Sequence, residues 1–176
     1  RYKKIVVTFP GKTYFFQIIE EITKSNLKYL SITENYSVLK KYYDIFKEIE
    51  EDLFTNLMNI EGINNPDYQV IFTGHSLGGA IATISSFYFI KNYKFNSENI
   101  LLTFGQPKVG NEPFAKYLTD NLKQIYRISR PKDMTVLFPF SQIDYFYKAL
   151  HIAKGIKWIL DLIVNIYSGN YLTLAV

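Results

Sequence analysis

The sequence predicts an α/β fold, with a mostly parallel central sheet flanked by helices. Several short runs of apolar and β-branched residues are hydrophobic on both faces, as strands buried inside a sheet are. These runs alternate with longer segments in which apolar residues recur at helical spacing. The chain has 176 residues, of which 48% are hydrophobic, and this supplies enough apolar material for one domain with its own core.

The first part of the chain alternates strands and helices. The pattern predicts a strand over 4–9, a short amphipathic helix over 13–25, a strand over 27–33 and a helix over about 36–61. Pro10 and Gly11 end the first strand, and Gly62 supplies a stop for the second helix.

The second part repeats a strand, turn and helix unit twice. The strands are predicted over 68–73 and 99–104, and the helices that follow them over 80–93 and 111–122. One more strand, over 124–129, leads into the loop RPKDM. Strands connected through helices in this way lie parallel, so their carboxyl ends meet at one edge of the sheet.

Composition excludes some classes of function and leaves others open. The net charge is +4, but the lysines are scattered among acidic residues, which argues against a nucleic-acid partner. A weak attraction to anionic membrane surfaces remains compatible with this charge. The chain has no cysteine, so disulfides and a thiolate nucleophile are excluded. Asp161 and Asn165 interrupt the longest apolar tract, so no transmembrane segment is predicted.

The stretch GHSLG, residues 74–78, predicts a nucleophilic serine at a sharp turn between a strand and a helix. Gly74 and Gly78 avoid the crowding that side chains would cause around such a turn, and Ser76 is lifted above the strand ends. A turn that merely joins two elements, or one that holds a phosphate, is the alternative. No G-x-x-x-x-G-K-[ST] or G-x-G-x-x-G sequence supports the phosphate interpretation.

A serine nucleophile needs a histidine base and a carboxylate that orients the base. The chain has two histidines, and His75 is expected to point away from the reacting face, which leaves His151 as the base. The chain order serine, acid, histidine places the acid between residues 76 and 151. The candidate acids are Glu98, Glu112, Asp120, Asp133 and Asp144. Asp133 is favoured because it follows a predicted strand, and Asp144 is the reserve.

Acyl transfer also requires two hydrogen-bond donors for the tetrahedral oxyanion. The amide of Leu77, directly after the serine, is the first predicted donor. The turn FPGKT, residues 9–13, supplies the second through the amide of Lys12 or, alternatively, of Thr13. An ordinary Pro-Gly turn is the competing interpretation of this segment.

These segments resemble the class 3 lipases, the fungal triacylglycerol lipase type of α/β-hydrolase. The resemblance is carried by VIFTGHSLGGAIA, by LLTFGQPKVGNEPFAKYL, by FPGKT against F-R-G-[TS], by DMTVLFP against D-x-V-P-x-L-P, and by HIAKGIKWI against H-x-G-x-E-x-W. It extends from about residue 5 to about residue 160, and it implies a triad of Ser76, Asp133 and His151. The same three residues follow from the chemistry above.

The chain departs from the family pattern in two segments. Pro10 and Lys12 replace the arginine and hydroxyl residue of the oxyanion motif, and Ala153 and Gly155 replace a glycine and a glutamate after the histidine. The family also has a helical stretch before its first catalytic strand, and this N-terminal part is expected to be missing from residues 1–176. Residues 1–176 are therefore expected to form one α/β-hydrolase domain that is a fragment of a longer protein.

The expected function is hydrolysis of glycerolipid esters, which needs no metal and no cofactor. A phospholipase A or transacylase would use the same residues, and a catalytically inactive lipid-binding domain is the alternative of another class. The expected partner is a lipid ester, at a membrane or lipid-droplet surface. The resemblance favours a secreted or endolysosomal location, and the sequence does not indicate the oligomeric state.

Overall fold

A computed structural model describes residues 3–11, 29–93, 98–131, 133–139 and 173–175. In chain order, the described elements are β1 (Lys3–Phe9), β2 (Tyr29–Ser31), β3 (Ser37–Leu39), α1 (Lys40–Met58), β4 (Tyr68–His75), α2 (Leu77–Asn92), β5 (Glu98–Phe104), α3 (Glu112–Asn121), β6 (Gln124–Ser129), a 3₁₀ helix (Met134–Leu137) and β7 (Thr173–Ala175).

Within the described ranges, five strands form the central sheet, in the spatial order β1, β4, β5, β6, β7. The first four run parallel, and β7 pairs antiparallel with β6. Phe104, at the end of β5, pairs with His75 on one side and Ile128 on the other, so neighbouring strands end together. The predicted α/β class and the four predicted strands of this sheet are confirmed. Their carboxyl ends form one continuous edge.

Helix α2 is the centre of the described core, because it is apolar all around and most of its residues are buried. Phe89 of α2 packs on Phe72 of β4, with ring centroids 5.2 Å apart. A helix without a polar face must be covered on every side, so further elements pack over it. None of the helices in the described ranges is both long and apolar enough to cross a membrane.

Aromatic side chains join α1 and α3 to α2. Phe46 of α1 stacks on Tyr88 with ring centroids 4.8 Å apart, and the ring centroids of Phe114 of α3 and Phe87 are 5.0 Å apart. Phe46, Phe87 and Phe114 are almost completely buried. Aromatic pairs of this kind contribute about 0.5–1.5 kcal/mol beyond the burial of their area. Much of the high aromatic content is therefore structural.

The hairpin of β2 and β3 differs from the prediction. Of the strand predicted over 27–33, residues 29–31 form β2, which pairs antiparallel with residues 37–39 outside the central sheet, and residues 32 and 33 are not strand. The helix predicted from residue 36 begins at Lys40 instead. The side-chain oxygen of Asn111 accepts hydrogen bonds from the amides of Ser37 and Phe114, both at 3.2 Å. This distant contact holds 37–39 extended, although its spacing of apolar residues also suits a helix. The helix predicted over 13–25 lies outside the described residues.

Candidate active site

Ser76 is the single residue between β4 and α2, and its backbone is strained. Its φ of 53° makes it the one non-glycine residue with a positive φ in the described part of the chain. A side chain in this conformation costs on the order of 1–3 kcal/mol, and such strain concentrates at functional sites. Ser76 is the N-cap of α2, but its hydroxyl makes no capping hydrogen bond. The hydroxyl is therefore not committed to the helix.

The glycines around Ser76 are required by close backbone contacts. A Cβ at Gly74 would overlap the backbone of Gly78, and a Cβ at Gly78 would overlap the carbonyl oxygen of Phe9. The carbonyl oxygen of Pro10 would lie 2.8 Å from the same Gly78 position. The start of α2 thus packs directly on the loop that follows β1.

Gly78→Ala is expected to destabilise the protein by about 2–3 kcal/mol, because the new methyl group would overlap backbone atoms that cannot rotate away. Helix propensity alone predicts a gain of about 1 kcal/mol from the same change. Gly79→Ala is the matched comparison and should cost less, since its Cβ would lie 3.1 Å from the carbonyl oxygen of Gly74, a tight contact, where that of Gly78 would overlap the carbonyl oxygen of Phe9. Urea unfolding measures both variants. A Gly78→Ala protein as stable as the parent would contradict the packing described for this turn.

Backbone hydrogen bonds connect Ser76 with the ends of the next two strands. The amide of Ser76 donates to the carbonyl of Phe104 at 2.9 Å, and the amide of Gly105 donates to the carbonyl of Ile128 at 2.7 Å. Gly105 has a φ of 52°, which glycine adopts without strain. The loops after β4, β5 and β6 are therefore tied together at one edge of the sheet.

Asp133 lies at this edge, in the turn that follows β6. Its amide donates to the carbonyl of Arg130 at 3.1 Å, and its Oδ1 accepts a hydrogen bond from the amide of Thr135 at 2.9 Å. A Cβ placed on Gly105 would lie 3.0 Å from Oδ2. One carboxylate oxygen is thus bound by its own turn, and the other lies beside the loop after β5.

Three of the other candidate acids have roles elsewhere in the structure. Glu98 begins β5, at the opposite edge of the sheet, and hydrogen bonds from Gln69 and Lys123 lower the pKa of its carboxyl group. Glu112 stands in the first turn of α3. Asp120 pairs with Lys116 on the exposed surface of α3. Asp144, the reserve acid, lies outside the described residues.

The position of His75 differs from the prediction. A Cβ placed on Gly11 would lie 3.2 Å from its Nδ1, and one placed on Gly105 would lie 3.4 Å from its Nε2. The imidazole therefore lies between the loops after β1 and β5, at the edge that carries Asp133. The sequence analysis did not expect the imidazole at this edge. β4 continues through His75 and α2 begins at Leu77, so the turn is one residue long, whereas the predicted strand and helix left six residues, 74–79, between them.

The predicted site residues fall into two groups. Ser76, Leu77 and Asp133 are described, and the structure places all three at the carboxyl edge of the sheet. Leu77 is the first residue of α2, where backbone amides have no acceptor within the helix. His151, Lys12 and Thr13 lie outside the described residues, so their positions remain predictions.

The sequence analysis did not single out Arg127, which also contributes to this edge. Arg127, in the middle of β6, directs its guanidinium toward the loops after β5 and β6 and bonds to both. The available signal was a charged residue within a strand that is otherwise apolar or neutral.

Comparisons with known proteins agree with this architecture. The sequence model of a family described as "Lipase (class 3)" matches residues 6–143. A lipase from Rhizomucor miehei is 28% identical over 161 residues, which are 90% of this chain and 42% of that protein. Secreted mono- and diacylglycerol lipase 1 of Fusarium solani is 38% identical over 76 residues, which are 43% of this chain and 22% of that protein.

A solved structure shares the fold over most of the chain. That structure is of a triacylglycerol lipase whose catalytic centre is formed by a serine protease triad. The two chains superpose with a TM-score of 0.67 at 27% identity, covering 78% of this chain and 52% of the other. The chain thus spans less than half of the two sequence relatives and about half of this solved structure.

Proposed function

The chain belongs to the class 3 lipase family, and from this premise we propose that it hydrolyses carboxylic esters of glycerolipids through an acyl-enzyme intermediate. The observation that carries the proposal is the strained Ser76 between β4 and α2. A turn that only connected two elements would relax to an unstrained residue or a glycine. Strain kept at a serine with an uncapped hydroxyl supports a nucleophile.

In the proposed mechanism, Ser76 Oγ attacks the ester carbonyl while His151 accepts its proton. Asp133 orients the imidazole and stabilises the imidazolium. The protonated His151 then gives its proton to the leaving alcohol as the tetrahedral intermediate collapses. Water, activated by the same histidine, attacks the acyl group on Ser76 and releases the fatty acid. The residues of the mechanism themselves supply the nucleophile, base and oxyanion donors.

The geometry of Asp133 supports its role as the acid. Oδ1 is held by the Thr135 amide, and this contact fixes the plane of the carboxylate. Among the described residues of its turn, no hydrogen bond reaches Oδ2, which lies beside Gly105 in the loop after β5. That loop is bonded to Ser76 through the carbonyl of Phe104. A carboxylate held in this way offers one oxygen to an imidazole without reorienting, which is what the triad requires.

We propose the amides of Leu77 and Lys12 as the oxyanion donors. Leu77 supplies the first amide of α2, where the helix dipole also favours negative charge. Gly11 lies against the turn at Ser76, since a Cβ on it would be 2.6 Å from the carbonyl oxygen of His75. The residue after Gly11 is therefore a suitable second donor. Its side chain departs from the family motif, but every residue except proline supplies the amide.

A lipid substrate is supported by apolar side chains at the same edge. Phe104, which ends β5, is 36% exposed, and Leu137, in the 3₁₀ helix after Asp133, is 45% exposed. Large apolar residues beside a reacting centre favour acyl chains over polar substrates. We propose that the ester is presented at a membrane or lipid-droplet surface.

Two measurements test the proposed function. A fluorophosphonate probe should label Ser76, because this reaction needs an activated serine and not only a lipid pocket. Hydrolysis of triacylglycerols, phospholipids and soluble short-chain esters, compared in parallel, then gives the substrate class. Labelling with preference for phospholipids would favour the phospholipase or transacylase alternative. Absence of labelling and of turnover in the folded chain would favour the inactive lipid-binding alternative.

Asp133→Asn is expected to lower kcat by about 10³- to 10⁴-fold, because an amide in place of the carboxylate favours the wrong imidazole tautomer. Asp144→Asn is the matched control and should retain activity close to that of the parent. Steady-state kinetics on a soluble short-chain ester measures both, with circular dichroism as the check on folding. If Asp144→Asn were the inactive variant, Asp144 would be the acid and the proposed triad would be wrong.

A further inference from the structure

We propose that Arg127 is a positioning residue, which fixes the orientation of the Asp133 carboxylate by joining the loop after β5 to the turn after β6. Its Nη2 donates to the carbonyl oxygen of Gln106 at 2.6 Å and to that of Val136 at 3.1 Å. These residues stand in the two segments that bound the carboxylate. The expected effect of Arg127 on catalysis rests on the proposed function.

The two bonds determine where Asp133 Oδ2 lies. Gln106 directly follows Gly105, beside which Oδ2 lies, and Val136 belongs to the 3₁₀ helix that Asp133 caps. A single nitrogen bonded to both carbonyls fixes the separation of the two segments. Within the turn, the bond from Thr135 sets the rotation of the carboxylate. Arg127 therefore determines the position of the group that Thr135 orients.

Burial makes this contact costly to break. Arg127 is only partly exposed, and its Nε is buried without a hydrogen-bond partner among the described residues. Burial lowers the pKa of the guanidinium, and the nearby negative charge of Asp133 partly restores it. The guanidinium remains charged, so its hydrogen bonds to the two carbonyls are of the charge-assisted kind.

Arg127→Met should lower kcat on a soluble short-chain ester by about 10- to 100-fold, because small displacements of a catalytic group are costly. KM should change by less than about threefold, since no contact with the ester is removed. Arg130→Met is the matched control, because it removes an exposed arginine near the same turn, with no side-chain bond among the described residues. Arg127→Lys keeps the charge and a donor nitrogen, so its kcat should lie between those of the parent and Arg127→Met.

A double-mutant cycle separates positioning from general structural support. In the Asp133→Asn background, Arg127→Met should change kcat by less than about threefold, because the carboxylate through which it acts is absent. An undiminished loss in that background would overturn the proposal. So would equal losses from Arg127→Met and Arg130→Met.

A second readout needs no turnover and therefore separates this proposal from the proposed function. Hydrogen exchange of the Thr135 amide, observed by NMR, should become at least about tenfold faster in Arg127→Met and stay unchanged in Arg130→Met. Should the methionine variant not fold, the same comparison is made with Arg127→Lys. Unchanged exchange at Thr135 in a folded Arg127 variant would overturn the proposal, whether or not the chain hydrolyses esters.

Discussion

Ser76→Ala is expected to lower kcat by at least about 10⁴-fold, because the change removes the nucleophile and leaves only the contribution of binding and of the oxyanion donors. The fold should survive, since alanine meets the same backbone strain at a φ of 53° as serine does. Turnover of a soluble short-chain ester and labelling by a fluorophosphonate are the two measurements. Both should be lost together.

Ser85→Ala is the control for this prediction, because Ser85 is a buried serine of α2, the helix that Ser76 precedes, and its hydroxyl has no hydrogen-bond partner among the described residues. Its activity should be close to that of the parent. Ser76→Gly should be equally inactive, yet more stable by about 1 kcal/mol, since glycine adopts a positive φ freely. Near-parent turnover in Ser76→Ala would end the triad hypothesis.

His151→Ala should lower kcat by a comparable factor, at least about 10⁴-fold, because no other group in the mechanism accepts the serine proton. His75→Asn is the necessary comparison, since the structure places His75 at the same edge of the sheet as Asp133. His75 belongs to β4, the strand that ends at the turn, and it has no role in the proposed mechanism. We therefore expect His75→Asn to reduce kcat by less than about tenfold.

The pH dependence of kcat/KM, measured on the parent and on His75→Asn, completes this test. The acidic limb of this pH profile reports the ionisation of the catalytic base in the free enzyme. The pH at which activity falls on this limb should therefore be the same in the parent and in His75→Asn. An inactive His75→Asn beside an active His151→Ala would assign the base to His75. The sequence-based assignment of His151 would then be wrong.

The sequence alone predicted the elements whose signals are local. The strands at 4–9, 68–73, 99–104 and 124–129 are confirmed within two residues at either end, because apolar runs bounded by turn residues are clear over short distances. The same reasoning predicted Ser76 as the turn residue, since only glycines fit around so sharp a bend. Family membership follows from the same motifs.

Elements that depend on distant contacts were not predictable in this way. Residues 37–39 form a strand and not the start of a helix, because Asn111 binds the amide of Ser37 from 74 residues away. The antiparallel pairing of β7 with β6 is also a long-range contact. The spacing of apolar residues indicates which face of a segment is buried. It does not indicate which distant residues form hydrogen bonds with the backbone of that segment.

The sequence by itself determined the chemistry available to this protein: one serine at a strained turn, two histidines, a short set of acids and no cysteine. Tertiary structure decided which of these groups meet. It brought Asp133 beside the loop tied to Ser76, turned His75 toward that same edge, and placed Arg127 across the two loops. The physical reason is that residue types fix which bonds can form, whereas hydrogen bonds between strand ends, made only after the sheet assembles, fix where the groups point.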